Sequence, residues 1–69
     1  MSDALIVHLK AHRTAAGLTQ AALADAIGVS RKTINTIENG VFTPSTRLAL
    51  QLAEELDCSV HDLFALPDD

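Results

Sequence analysis

The sequence predicts an all-α domain, a compact five-helix bundle, and three observations lead to it. Apolar residues recur at helical spacing, as in Leu5, Ile6 and Leu9 or Leu23, Ala24 and Ile27. Hydroxyl residues stand where helices begin, at Ser2, Thr19, Ser30, Ser45 and Ser59. Gly17, Gly28 and Gly40 stand where helices end, because glycine accepts the left-handed conformation that closes a last turn. With 69 residues the chain forms one domain, 1–69, with the bundle over about 3–66 and a tail at 67–69.

Each element follows in turn. The first helix starts at a Ser2 cap, carries Leu5, Ile6 and Leu9 inward and continues to about Ala16, where Gly17 stops it. Thr19 caps a second helix over Gln20–Ile27, and Gly28 ends it. Val29 fills the turn, Ser30 caps a third helix from Arg31 to about Asn39, and Gly40 stops that. Pro44 and Ser45 open the fourth, over about 45–56. It is apolar over much of its circumference (Leu48, Ala49, Leu50, Leu52, Ala53, Leu56), as expected of the central member of a bundle. Ser59-Val60-His61-Asp62 has the form of a capping box and opens a short fifth helix with Val60, Leu63 and Phe64 on the core.

Composition narrows the function classes. Nearly half the residues (48%) are apolar, yet only Phe42 and Phe64 are aromatic, so the core is built from Leu, Ile, Val and Ala and is modest. A single cysteine, Cys58, excludes an internal disulfide and any paired-cysteine metal site, and reads as a packing residue. His8 and His12 share a helix face at i, i+4, but two ligands without the intervening glutamate of a zinc protease make no site. No phosphate-binding glycine loop and no catalytic triad spacing is present, so no enzyme activity, metal or cofactor is expected. No apolar run reaches the roughly 20 residues that span a bilayer, and the start, Met1-Ser2-Asp3-Ala4, lacks a basic leader. The expected location is cytoplasmic.

The net charge of −4 is unevenly spread. All five cations (Lys10, Arg13, Arg31, Lys32, Arg47) precede residue 51, accompanied by Asp3, Asp25 and Glu38. Beyond it come Glu54, Glu55, Asp57, Asp62, Asp68 and Asp69 without a Lys or Arg. Such a dipolar chain can turn its acidic end away from a polyanion.

The segment over about 20–39 carries the function. Two short helices joined by a glycine-centred turn cross steeply and leave the second protruding. Advancing about 100° per residue from Ile34, Ile37 and Glu38 fall on the inward side, while Lys32, Thr33, Asn35, Thr36 and Asn39 face out. Arg31 lies in the first turn, and its length lets it reach outward. Every outward residue forms hydrogen bonds and none is acidic, which suits base edges and phosphates. Arg31 and Lys32 can donate to guanine O6 and N7, Asn35 can pair with adenine, and the Thr33 and Thr36 methyls can touch thymine. Gln20 and Ser30 sit at helix N-termini, where backbone amides favour phosphate.

Leu18-Thr19-Gln20-Ala21-Ala22-Leu23-Ala24, Gly28-Val29-Ser30-Arg31-Lys32-Thr33-Ile34 and Ile37-Glu38-Asn39-Gly40 together resemble the Cro/repressor-type helix-turn-helix family, as do Pro44-Ser45 and Val60-His61-Asp62-Leu63-Phe64. The resemblance covers about residues 5–64. It implies a lambda-repressor-like DNA-binding domain acting as a transcriptional regulator, with the helix over 31–39 in the major groove. By the same resemblance Arg31, Lys32, Asn35 and Thr36 face bases, and Gln20, Thr33 and Asn39 touch phosphates. The resemblance also implies an internal ion pair between Arg13 and Glu38, bracing helix one against helix three. Where relatives often carry a basic loop this chain has Val41-Phe42, with Phe42 expected as a lid on the core.

Two further expectations concern partners. A homodimer on a two-fold operator would bury the apolar surface that so small a core leaves over, through helix five and the edge of helix four, with Phe64 and Leu66 as contact candidates. A protein-interaction module, or the antitoxin of a toxin-antitoxin pair, is the alternative use of the same fold.

Overall fold

The computed structural model describes residues 4–67. Its elements are β1 (Ile6–Val7), α1 (Leu9–Ala15), α2 (Gln20–Ile27), α3 (Arg31–Glu38), α4 (Thr46–Glu55), α5 (Val60–Leu63) and β2 (Phe64–Ala65). The five expected helices are present, and the fold is not strictly all-α. β1 and β2 pair antiparallel, with Ile6 opposite Ala65 and Val7 opposite Phe64. The His8 amide adds a bond to the Leu63 carbonyl at 2.7 Å.

This small sheet corrects the first element. Residues 6–7, expected at the start of helix one, are extended, and α1 begins only at Leu9. Ile6 and Val7 are β-branched and favour extended backbone, and Phe64 leaves α5 with φ −137° and ψ 138°, which supplies a partner strand. Leu5, Ile6 and Leu9 fit a helical period only because so short an apolar run fits either period. The Ser2 cap, with Asp68 and Asp69 of the tail, lies outside the described residues.

The other boundaries follow from local chemistry. Thr19, Ser30 and Ser45 each accept a hydrogen bond from the backbone amide three residues on, at 3.0–3.1 Å. Ser59 and Asp62 make both bonds of the capping box, Ser59 N to Asp62 Oδ2 at 2.9 Å and Asp62 N to Ser59 Oγ at 3.2 Å. Asp62 is thereby held below the usual carboxylate range by the bonds from Ser59. Helix α2 ends at Gly28 with φ 76°, and the Val29 amide reaches back to the Ala24 carbonyl at 3.0 Å. A Cβ at Gly28 would meet nothing within 4 Å, so the backbone angle alone calls for glycine there.

Helix α4 closes the same way, with Cys58 N bonded to Ala53 O at 3.0 Å, but the left-handed position is Asp57 at φ 54°. An L-residue there is strained, and its charge opposes the helix dipole. Asp57→Gly is therefore expected to raise stability by about 1 kcal/mol, visible as a higher urea midpoint at unchanged slope.

The core joins every helix. Leu9 (α1), Leu23 and Ala24 (α2), Ile34 and Ile37 (α3), Leu48, Ala49, Leu52 and Ala53 (α4), Leu63 (α5) and Phe64 (β2) are buried together. Helix α4 packs on both α2 and α5, as its broad apolar face requires. Leu50, counted among its apolar residues, points outward and is 57% exposed. Cys58 is half-buried against the core, where burial pushes its thiol pKa up, which fits a packing residue.

Candidate nucleic-acid interface

Helix α3 is amphipathic in the way its sequence dictates. Ile34 and Ile37 are fully buried, whereas Arg31, Lys32, Asn35 and Asn39 are exposed and Thr33 and Thr36 half-exposed. Its start is fixed by Ser30, whose Oγ accepts the Thr33 amide at 3.1 Å and lies 2.9 Å from Thr33 Oγ1. Thr36 Oγ1 donates to the Thr33 carbonyl at 3.0 Å, so its hydroxyl is engaged within the helix. Asn39 Nδ2 donates to Asn35 Oδ1 at 3.2 Å, which orients the Asn35 amide. The side chains expected at bases, and Ser30, Thr33 and Asn39 of those expected at phosphates, thus share one face of α3 and its two ends, while Gln20 stands apart at the start of α2.

What holds this helix in place is a buried polar network. Arg13 Nε donates to Glu38 Oε2 at 2.6 Å and Nη2 to Oε1 at 3.2 Å. Arg13 Nη1 donates to the Leu18 carbonyl at 2.8 Å. Gln20 Nε2 donates to Glu38 Oε1 at 2.9 Å. The Arg13 and Glu38 side chains are only 9% and 3% exposed, and the pair is a two-point contact of fixed geometry. The Glu38 carboxylate at the end of α3 therefore ties down α1 and the first residue of α2, and Arg13 in turn holds the α1–α2 connection through Leu18. Burial pushes the Glu38 carboxyl up, but the hydrogen bonds from Arg13 and Gln20, with the charges of Arg13 and Lys10, outweigh it and leave the pKa lowered. The hydrogen bond to Glu38 raises the Arg13 pKa against the opposing effect of burial.

The ion pair expected between Arg13 and Glu38 is present, and the structure adds Gln20 and the Leu18 carbonyl to it. Those two were not legible as partners, since Gln20 and Glu38 are brought together only by the crossing of α2 and α3. Gln20 keeps one amide hydrogen for a phosphate, because its NH2 carries two and Glu38 takes one.

Phe42 is a correction. It is 47% exposed and lies outside the core, lining a shallow cleft with Ser30, Lys32, Thr33, Thr36 and Val41. The reason is the closure of α3. The Val41 and Phe42 amides both bond to the Thr36 carbonyl, at 2.9 and 3.2 Å, which folds the loop back along α3 instead of over the bundle. Phe64, a dimer candidate, is itself a core residue with one edge on a surface groove, whereas Leu66 is 81% exposed. Among the described residues no group of three or more His, Cys, Asp or Glu could hold a metal ion, and no helix is long and apolar enough to cross a membrane.

The chain is similar to known proteins over 78–88% of its length. It is 43% identical over 61 residues to MJ0272, an uncharacterized HTH-type transcriptional regulator of Methanocaldococcus jannaschii, covering 88% of this chain and 92% of that one. A second such regulator, from Methanothermobacter thermautotrophicus, is 40% identical over 62 residues, covering 88% and 90%. Among solved structures, the restriction-modification controller protein C.AhdI of Aeromonas hydrophila superposes with a TM-score of 0.75 at 38% identity, covering 81% of each chain. The clp gene regulator ClgR of Corynebacterium glutamicum gives 0.74 at 31% identity, covering 78% of this chain and 57% of that one. A family model described as helix-turn-helix matches residues 9–63, from the first residue of α1 to the last of α5. With the outward face of α3 free of acids and the helix braced through its own Glu38 by Arg13 and Gln20 inside that span, the chain belongs to the helix-turn-helix family.

Proposed function

We propose that this helix-turn-helix regulator represses transcription in the cytoplasm by binding double-stranded DNA sequence-specifically, as a homodimer with one α3 in each of two major grooves. As a transcriptional regulator of this family the chain is not an enzyme. The observation that carries the reading is the outward face of α3: Arg31, Lys32, Asn35 and Asn39 exposed together, with no acid among them.

The roles follow from chemistry. Arg31 and Lys32 offer donors to guanine, and Asn35, oriented by Asn39, offers a donor and an acceptor to adenine. Thr36, with its hydroxyl engaged, presents its methyl to thymine. Ser30, Thr33, Asn39 and the remaining amide hydrogen of Gln20 serve phosphates at the ends of the helices. The loop after α3 has no cation, and its Val41 and Phe42 amides face the Thr36 carbonyl, so it adds apolar contact and no phosphate anchor. A two-fold dimer would set its half-sites about one helical turn apart, roughly 34–36 Å. Leu66 and the edge of Phe64 adjoin the groove available for that contact.

The test is binding of the purified protein to its own promoter region and to unrelated duplex across a salt series. The expected result is tighter binding to the promoter region, falling steeply with salt as phosphate contacts are screened. No binding to either duplex at low salt would overturn DNA binding in favour of a protein-interaction role. Within that assay, Arg31→Ala is expected to cost about 1–3 kcal/mol, concentrated at one base position. Equal losses on every sequence would make Arg31 a phosphate contact.

A further inference from the structure

Helix α4 carries a charge pattern that the monomer does not use. Thr46, Arg47, Leu50, Gln51 and Glu54 line one surface concavity, so their side chains share an outward face at i, i+3, i+4 and i+7 spacing. Leu50 at its centre is a leucine 57% exposed to solvent. Arg47 lies in the first turn of the helix and Glu54 in the last. Both signs oppose the helix dipole, which favours anions at the N-terminus and cations at the C-terminus. Two turns separate the two residues, about 10 Å along the axis. Among the described residues the only ion pair is Arg13–Glu38, so neither Arg47 nor Glu54 has an ion-pair partner among them.

An antiparallel copy of the same helix satisfies every part of this pattern. With a two-fold axis passing between Leu50 and Gln51, Arg47 of each copy stands opposite Glu54 of the other, and the contact is self-complementary. The helix dipoles then oppose one another favourably, and each charge faces an opposite charge. Leu50 of each copy meets the other near its own Leu50, beside a groove lined by Leu5, Pro44, Ala49, Val60 and Phe64. That groove shares Leu5, Val60 and Phe64 with the surface that carries Leu66, so the apolar face is continuous.

We infer that α4 is the homodimer element of this protein, packing antiparallel on a second copy with reciprocal Arg47–Glu54 ion pairs across Leu50. The inference rests on the homodimer reading above and centres its surface on the outward face of α4, whereas the sequence expectation is helix five and the edge of helix four, with Phe64 and Leu66.

A reciprocal charge swap, read by analytical ultracentrifugation at low salt with circular dichroism as the fold check, tests it. Both residues are exposed, so Arg47→Glu and Glu54→Arg should fold as the parent does. The parent is expected to dimerise, and each single variant to self-associate at least about tenfold more weakly, since each places two like-charge contacts at the interface. An equimolar mixture of the two variants should form heterodimers, and the double variant R47E/E54R should regain self-association. A parent that stays monomeric overturns the homodimer reading itself. A dimeric parent whose single variants associate equally well, or whose mixture fails to restore association, overturns the α4 contact alone.

Discussion

Glu38→Ala is expected to cost about 3–5 kcal/mol of folding stability, the range for removing one partner of a buried ion pair. A chain of this length holds roughly 3–10 kcal/mol in all, so the variant should be largely unfolded at 37 °C or close to it. The reason lies in what remains behind. Arg13 keeps only the Leu18 carbonyl as an acceptor, its guanidinium is still buried, and Gln20 loses the bond that ties α2 to α3. Replacing both members by apolar residues, Arg13→Met with Glu38→Leu, should cost less than Glu38→Ala alone, because it strands no buried charge. Urea denaturation of the single and double variants measures this, and a double variant less stable than the single would sink the explanation.

The pH dependence follows from the same group. The folded Glu38 pKa lies below its ordinary value, so the unfolded chain binds the proton more readily. The stability that Glu38 contributes is therefore complete above the ordinary carboxylate pKa, about 4.3, and is lost as pH falls through the lowered folded value. Asp62, also lowered, acts with the same sign. The parent should lose stability on acidification below about pH 5, and Glu38→Gln should flatten that loss while leaving the share that belongs to Asp62. An unchanged acid slope in Glu38→Gln would mean that the pair does not govern acid unfolding.

Leu52→Ala is the second large effect, about 2–5 kcal/mol. Leu52 is fully buried on the face of α4 that packs against α2 and α5, and the cavity left by its truncation would sit among Leu, Ile and Ala side chains with little freedom to collapse. Leu50→Ala, two residues away, is the matched control. At a concentration too low for self-association it should change stability by no more than about 0.5 kcal/mol, as for surface positions. At high concentration it should weaken dimerisation if α4 is the contact. Equal destabilisation by the two substitutions in the dilute monomer would show that Leu50 is not the free residue its exposure indicates.

Helices α2 to α5 and the outward face of α3 are already written in the order of the residues. Each rests on interactions within a few residues: Thr19, Ser30, Ser45 and Ser59 bond to amides three residues on, and Ile34 and Ile37 fix which side of α3 turns inward. Arg13 with Glu38 was legible only through the family resemblance, since nothing local links residues so far apart. What lies between distant segments was decided by the tertiary structure alone. Ile6 and Val7 are strand because Phe64 and Ala65 arrive beside them, and no helical or strand period in a short apolar run contains that fact. Gln20 became a brace for Glu38 because α2 and α3 cross at that point. Phe42 lies along α3 because two amides chose the Thr36 carbonyl. Leu50, indistinguishable in composition from Leu48 and Leu52, lies outside because the bundle covers one side of α4 and no element among the described residues covers the other.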